Sequence, residues 1–408
     1  MEFALTLEQG MLSESATRLL SEHCSVERIA DPATKNHLWQ QVVELGWVAM
    51  AIPEEQGGIG SRQEDMAVLF KALGRGLFRQ PLLAASILAS RILQRACKET
   101  AESLLQSIAA GELTISCALY EPAGRYSLHS PQTVARRDEG GYLISGCKSM
   151  VADGDSVDHI LLSARLAGED SYGIFLVKLA EAQGIRRERH LHIDDEPSAD
   201  YRLEDLHVPG ESLVIGPCAD LDFLEVAMDD LRVLRCAELT GAMERSIELT
   251  VNYLKLRKQF GTQVANFQSI QHQIAELFIQ SNQACSSVFA AIAGREGSAP
   301  AYHLSVSGCV MNVSRLAKQV IGQTIHLHGG IGFTTEHEVG HHFRKAVAEE
   351  KRLGDYTYHL QRLTELIRSG YETGGDKVQR QCDGASALTL ISAGLVDSGN
   401  LGLKLKSN

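Results

Sequence analysis

The sequence predicts a mostly helical protein with a central β domain. Three observations predict it. Residues 5–113 carry apolar side chains at helical spacing. Residues 114–218 break into short β-type runs separated by polar or glycine-containing turns. Residues 221–368 return to helical spacing, in segments long enough for a four-helix bundle. The implied division is an N-terminal helical domain over 1–113, an antiparallel β domain over 114–218, a C-terminal bundle over 219–372 and a loose tail over 373–408.

Each element has its own signal. Thr6 with Gln9 reads as a capping box, and Leu7, Met11, Leu12, Leu19 and Leu20 then share one helical face. Leu38, Val42, Val43 and Leu45 repeat that pattern until Gly46 stops it. Pro53 and Gly57-Gly58 mark a loop, and helical spacing resumes over Met66–Leu73 and Leu82–Leu93. The β runs are Ile115–Leu119, Tyr142–Ile144, His159–Ala164 and Ile174–Val177. The long helical segments are Phe223–Leu256, Phe267–Arg295, Ala301–His328 and Val339–Arg368.

Composition narrows the function. A net charge of −12 argues against nucleic acid as a partner, while a local cluster of cations still suffices to hold a phosphate. The nine cysteines show no C-x-x-C spacing, so the sequence predicts free thiols in a reducing cytosol rather than a zinc site or disulfides. The N-terminus lacks the apolar core of a signal peptide, and no apolar stretch reaches the ~18 residues of a membrane span. The expectation is a cytoplasmic protein without a metal. His337, His341 and His342 read as a solvated or substrate-lining helix face, and Arg186-Arg187-Glu188-Arg189 as a solvated surface.

Two motifs point to chemistry. Arg257-Lys258-Gln259-Phe260-Gly261 follows one long helix, with Gly261 expected as its stop, and Phe267-Gln268 and Gln271-His272 open the next. A cation near a helix end and a following helix N-terminus suit an anion, although helix C-termini favour basic residues on dipole grounds alone. His328-Gly329-Gly330-Ile331-Gly332-Phe333 lies between two helices. Its glycines permit close backbone approach to a dinucleotide, or equally a plain tight connection.

Together these motifs resemble the FAD-binding pattern of the acyl-CoA dehydrogenase superfamily. The resemblance runs from Met1 to about Arg368 and includes Phe3-Ala4-Leu5-Thr6, Glu44-Leu45-Gly46-Trp47, Pro53-Glu54-Glu55, Leu73-Gly74-Arg75, Ala118-Leu119, Glu121-Pro122, Gly146 and Lys148. Asn252-Tyr253-Leu254-Lys255 and Val339-Gly340-His341 are similar to the bacterial small-subunit, pimeloyl-CoA dehydrogenase-like type. The resemblance implies an acyl-CoA dehydrogenase-like fold and α,β-dehydrogenation of an acyl-CoA thioester, as in fatty acid or steroid side-chain β-oxidation. It implies FAD as cofactor, an electron-transfer flavoprotein as reoxidant, and a homo- or hetero-oligomeric dimer or tetramer with FAD at the interface. It assigns Arg257 to the FAD pyrophosphate, Phe260 and Gln268 to the adenosine or pyrophosphate part, and Gly329 and Gly330 to close approach by the facing subunit. His326 stands where the family has a glutamine.

The resemblance also places the base. The family's glutamate at the turn before the last helix corresponds to Asp355, in Leu353-Gly354-Asp355-Tyr356-Thr357. Its second base location corresponds to Leu231, which cannot serve. Asp355 reads either as a base shortened by one methylene, about 1.5 Å of reach, or as a cap on the last helix across Thr357 and Tyr358. Met150 stands where the family has a flavin-side aromatic, and Arg125-Tyr126 replace its Ser-Asp. Two further readings follow from these departures. One is a partner subunit that lends Arg257 to FAD and abstracts no proton. The other is an Asp-based flavin oxidase resembling nitroalkane oxidase.

Overall fold

The computed structural model describes residues 5–28, 31–352 and 354–372, and helices at both ends of this span flank one sheet domain. Phe3, Ala4, Leu353 and the tail over 373–408 lie outside the described residues.

Helix α1 (Leu7–His23) opens on the capping box. Gln9 N–H donates to Thr6 Oγ1 at 3.2 Å, and Thr6 N–H donates to Gln9 Oε1 at 3.1 Å. Helix α2 (Pro32–Glu44) gives way to Gly46, whose φ of 73° is the left-handed turn that glycine supplies at low cost. Helix α3 (Gln63–Gly74) crosses the long α6 (Asp222–Leu256) at backbone contact. A Cβ on Gly74 would sit 1.8 Å from the Glu238 carbonyl oxygen, and one on Gly241 would sit 1.9 Å from that of Lys71. That close approach is why glycine follows Leu73. The segment expected as one helix over Leu82–Leu93 divides into a π-helical stretch (Leu82–Leu88) and a short α4 (Ala89–Leu93), and α5 (Lys98–Ala109) follows.

The sheet has eight strands: β1 (Ile115–Ala118), β2 (Val134–Asp138), β3 (Gly141–Ala152), β4 (His159–Leu166), β5 (Tyr172–Lys178), β6 (Ile185–Leu191), β7 (Pro197–Pro209) and β8 (Leu213–Cys218). Their order is β6-β7-β3-β2-β4-β5-β8, with β1 beside β4. Most pairs are antiparallel as expected, but β4 runs parallel to both β1 and β2. The β2–β3 hairpin lies between β1 and β4 in sequence and supplies the long connection that parallel pairing requires. Arg186-Arg187-Glu188-Arg189 is exposed, as expected, and lies in β6, an edge strand. Charge along an edge discourages pairing with foreign strands.

The bundle comprises α6, α7 (Gln268–Gly294), α8 (Ala299–His328) and a fourth segment broken into α9 (Glu338–Arg352) and α10 (Tyr356–Glu372). The break falls at Gly354, whose φ is 100°. Trp47 and Phe70 from the N-terminal helices share one core with Val233, Leu239 and Val313 of the bundle. Among the described residues, no helix is long and apolar enough to cross a membrane.

Candidate functional site

Helices α6 and α8 run parallel, so the predicted dinucleotide residues gather at one end of the bundle. The rings of Tyr253 and His328 stack there at 4.8 Å, and His328 Nδ1 lies 2.8 Å from the Thr324 carbonyl. Helix α6 stops at Leu256, before the motif, and Arg257 is extended with ψ at 128°. Gly261 is therefore not the helix stop. Lys258–Gln259 pairs with Thr262–Gln263 across a two-residue turn at Phe260-Gly261. Both turn residues have positive φ, 52° and 81°, the requirement of a mirror-image hairpin turn. Phenylalanine is costly there. The turn holds its ring 93% exposed, 6.4 Å from that of Phe267.

Arg257, Gln268, His326, Gly329 and Gly330 are exposed at the same end. The Arg257 side chain makes no ion pair or hydrogen bond among the described residues. Gly329 has φ of 66°, and a Cβ on it or on Gly330 would meet open space. A free guanidinium, a projecting aromatic ring and an uncovered glycine backbone form a donor set suited to a diphosphate bridge and an adenine. The dinucleotide end of FAD fits these residues. Glu338 braces this end, accepting from Arg245 Nε at 3.0 Å and Nη2 at 3.1 Å and lying 3.3 Å from His342 Nε2. Burial alone would raise its pKa, but His342 and Arg245 pull it down to about 2. A depressed carboxylate stabilises fully above its ordinary value of 4.5, and that stability is lost as pH falls through about 2. Acid unfolding followed by circular dichroism should therefore be shallower between those limits in Glu338→Gln than in the parent.

Asp355 lies elsewhere. Its Oδ1 accepts from Tyr358 N–H at 2.9 Å, and its Oδ2 is 4.0 Å from Lys351 Nζ. The carboxylate thus caps α10. Around it stand three tyrosines. The Tyr126 ring is 5.9 Å from that of Tyr120 and 5.2 Å from that of Tyr358. Arg232 stacks over Tyr358 at 5.5 Å and donates to its hydroxyl at 3.3 Å.

Beneath the tyrosines the interior is ionic. Arg362 grips Asp229 with two bonds of 2.8 Å and reaches Glu225 at 3.2 Å. Arg232, fully buried, donates to Asp229 at 2.7 Å and Glu225 at 3.3 Å, and His303 Nδ1 sits 2.6 Å from Asp229. Burial would raise the Asp229 pKa. The His303 hydrogen bond and the two guanidiniums outweigh it and hold the carboxyl well below the usual range. The sequence carried a signal for this cluster: Glu225, Asp229 and Arg232 recur at i, i+4 and i+7 on one stripe of α6.

The dinucleotide residues and Asp355 do not meet within one chain. Arg232, against Tyr358, and Leu256, before Arg257, are 24 residues apart along α6, which at 1.5 Å per residue is about 36 Å. Two other motif residues are structural. Lys148 Nζ donates to Glu121 at 2.7 Å and Ser163 at 2.9 Å, and burial lowers its pKa to about 8 against the pull of Glu121. Met150 has φ of 57°, and its N–H donates to Asp200 at 2.9 Å.

A second ionic cluster ties the β6–β7 turn to the bundle. Asp194, Glu196 and Glu349 bring ligand atoms within 4.8 Å of one another, the spacing of a metal site. Arg352 occupies their midst, 2.6 Å from Asp194, 3.2 Å from Glu196 and 3.0 Å from Glu349. The expected histidine face is also engaged. His342 meets Glu338, and His341 Nε2 lies 2.9 Å from the Thr335 carbonyl.

Comparison with known proteins agrees with this layout. The chain matches the family descriptions "Acyl-CoA dehydrogenase, N-terminal domain" over residues 6–112, "middle domain" over 116–206 and "C-terminal domain" over 222–364. It is 24% identical over 385 residues to the probable acyl-CoA dehydrogenase YngJ of Bacillus subtilis, covering 89% of this chain and 98% of that one. It is 25% identical to the acyl-CoA dehydrogenase IpdE2 of Mycolicibacterium smegmatis, covering 87% and 97%. Among solved structures, a variant of the steroid ACAD Tcur3481-Tcur3483 superposes with a TM-score of 0.78 at 26% identity, covering 90% of this chain and 99% of that one. The chain belongs to the acyl-CoA dehydrogenase family, the oxidoreductases that act on acyl-CoA.

Proposed function

We propose that this chain is one half of a flavin-dependent assembly that dehydrogenates an acyl-CoA thioester between its α and β carbons. FAD lies where two chains meet, and an electron-transfer flavoprotein reoxidises it. FAD, when bound, supplies the hydride acceptor. This chain contributes the Arg257 end, and a partner of the same family contributes the carboxylate that abstracts the proton. The observation that carries this reading is the capping bond from Tyr358 N–H to Asp355. A general base must reach the proton it removes, and this carboxylate is turned onto the first turn of its own helix. The paired designation of the 26% identical steroid ACAD, Tcur3481-Tcur3483, supports a paired assembly.

The competing reading, Asp355 as the working base, predicts a different result for one variant. Turnover by the purified assembly is measured with Asp355→Asn in this chain. We expect it to stay within about twofold, because general-base loss typically removes roughly 10²–10⁴ of rate and this carboxylate is not the base. A loss of that larger size would assign proton abstraction to Asp355.

A further inference from the structure

We propose that His341 is a proton-sensitive positioning residue for the loop that carries Gly329 and Gly330. The proposal rests on the functional reading above in one respect, that this loop faces the dinucleotide. The observation behind it is an imidazole with two guanidiniums on one nitrogen. Arg344 Nη2 lies 2.6 Å from His341 Nδ1, and Arg79 Nη2 lies 3.2 Å from it. A guanidinium only donates, so Nδ1 carries the lone pair and the ring is neutral. Its proton is then on Nε2, which donates to the Thr335 carbonyl at 2.9 Å.

Distant parts of the chain meet at this buried ring. Arg79 comes from the connection between α3 and the π-helical stretch, Arg344 from α9, and Thr335 from the link between Phe333 and α9. The sheet domain adds Asp195 of the β6–β7 turn, whose Oδ2 is 3.2 Å from Arg79 and 4.0 Å from Arg344. The link itself folds back on the glycine loop. Thr334 N–H donates to the Ile331 carbonyl at 3.2 Å, and the rings of His328 and His337 are 4.5 Å apart. Fixing Thr335 therefore fixes the exit of the loop.

Protonation undoes this arrangement. Nδ1 loses its lone pair, both guanidinium bonds go, and three cations then face the Asp195 carboxylate. Burial, and then the charges of Arg344 and Arg79, accordingly hold the His341 pKa below its ordinary 6.5, against the pull of the Thr335 bond and Asp195. A base with a depressed pKa stabilises fully above its ordinary value, and that stability is lost as pH falls below it.

The test measures hydrogen exchange over residues 334–340 in the purified assembly at about pH 7.5 and about pH 5.5, corrected for the intrinsic rate at each pH. In the parent, protection should drop at least about fivefold at the lower pH, within the tenfold that one pH unit below 6.5 allows. His341→Gln keeps a neutral acceptor for the guanidiniums and a donor for Thr335 at either pH, so its protection should hold. Flavin retained on gel filtration should follow the same pattern, with at least about fivefold more lost from the parent than from the variant at the lower pH. The exposed His272 and His326 are present in both proteins and cancel in that comparison. Parent protection that ignores pH overturns the proposal, and that measurement needs no variant. A drop of the parent's size in a folded His341→Gln, or equal flavin loss from both, overturns it too. An assembly that opens here at the lower pH yet carries no flavin at either would defeat the functional reading alone.

Discussion

Replacing Asp229 with asparagine is expected to lower the unfolding free energy by roughly 3–5 kcal/mol, the cost of removing one partner from a buried ion network. Asp229 is fully buried and meets Arg232, Arg362 and His303, so the variant leaves two guanidiniums short of a counter-charge in the interior of the bundle. The amide is close to isosteric, which keeps cavity formation out of the result. Urea unfolding of the two proteins at neutral pH gives the difference. The carboxyl's depressed pKa fixes the pH trend. Its stabilisation is present above the ordinary carboxylate range and is lost as pH falls toward the folded-state value, so parent and variant should converge in strong acid. A difference below about 1 kcal/mol, the size of an exposed ion pair, would mean that the network is hydrated.

Arg257→Ala should weaken FAD retention by roughly 10- to 100-fold, the equivalent of the 1.5–3 kcal/mol in a charge-assisted hydrogen bond. The fold should not change, because the Arg257 side chain is exposed and makes no ion pair or hydrogen bond among the described residues. Flavin released on gel filtration, compared at equal thermal stability, separates this from unfolding. Arg257→Lys should recover only part of the loss, since an ammonium cannot make the paired bonds of a guanidinium.

Much of this was legible in the sequence, for identifiable reasons. The capping box at Thr6 and Gln9 joins positions three residues apart, so pattern alone reveals it. Gly46 announces itself through backbone freedom that other residues lack, whereas the break at Gly354 interrupts the segment read as one helix over Val339–Arg368. Strand β6 was hidden because Arg186, Arg187 and Arg189 have no β-favouring side chains, and its pairing with β7 decides its conformation. Gly261 misled for a related reason, since the two-residue ladder around it depends on partners that spacing cannot show.

The site divides in the same way. The residues expected to hold a dinucleotide stand out as local motifs at helix ends. The half around Asp355 depends on contacts across the chain: Arg362 meets Asp229 from 133 residues away and Glu225 from 137. Tyr126 registers in the sequence only as a departure from a family pattern. Its ring contact with Tyr358 comes from across the chain.

The central claim is that a complete flavin site needs two chains, because Arg257 and the Asp355 turn lie about 36 Å apart along α6. Native mass spectrometry of the yellow protein tests it most directly. FAD should appear only on species containing two or more chains and should leave when they separate. A single chain carrying one tightly held FAD would contradict the account.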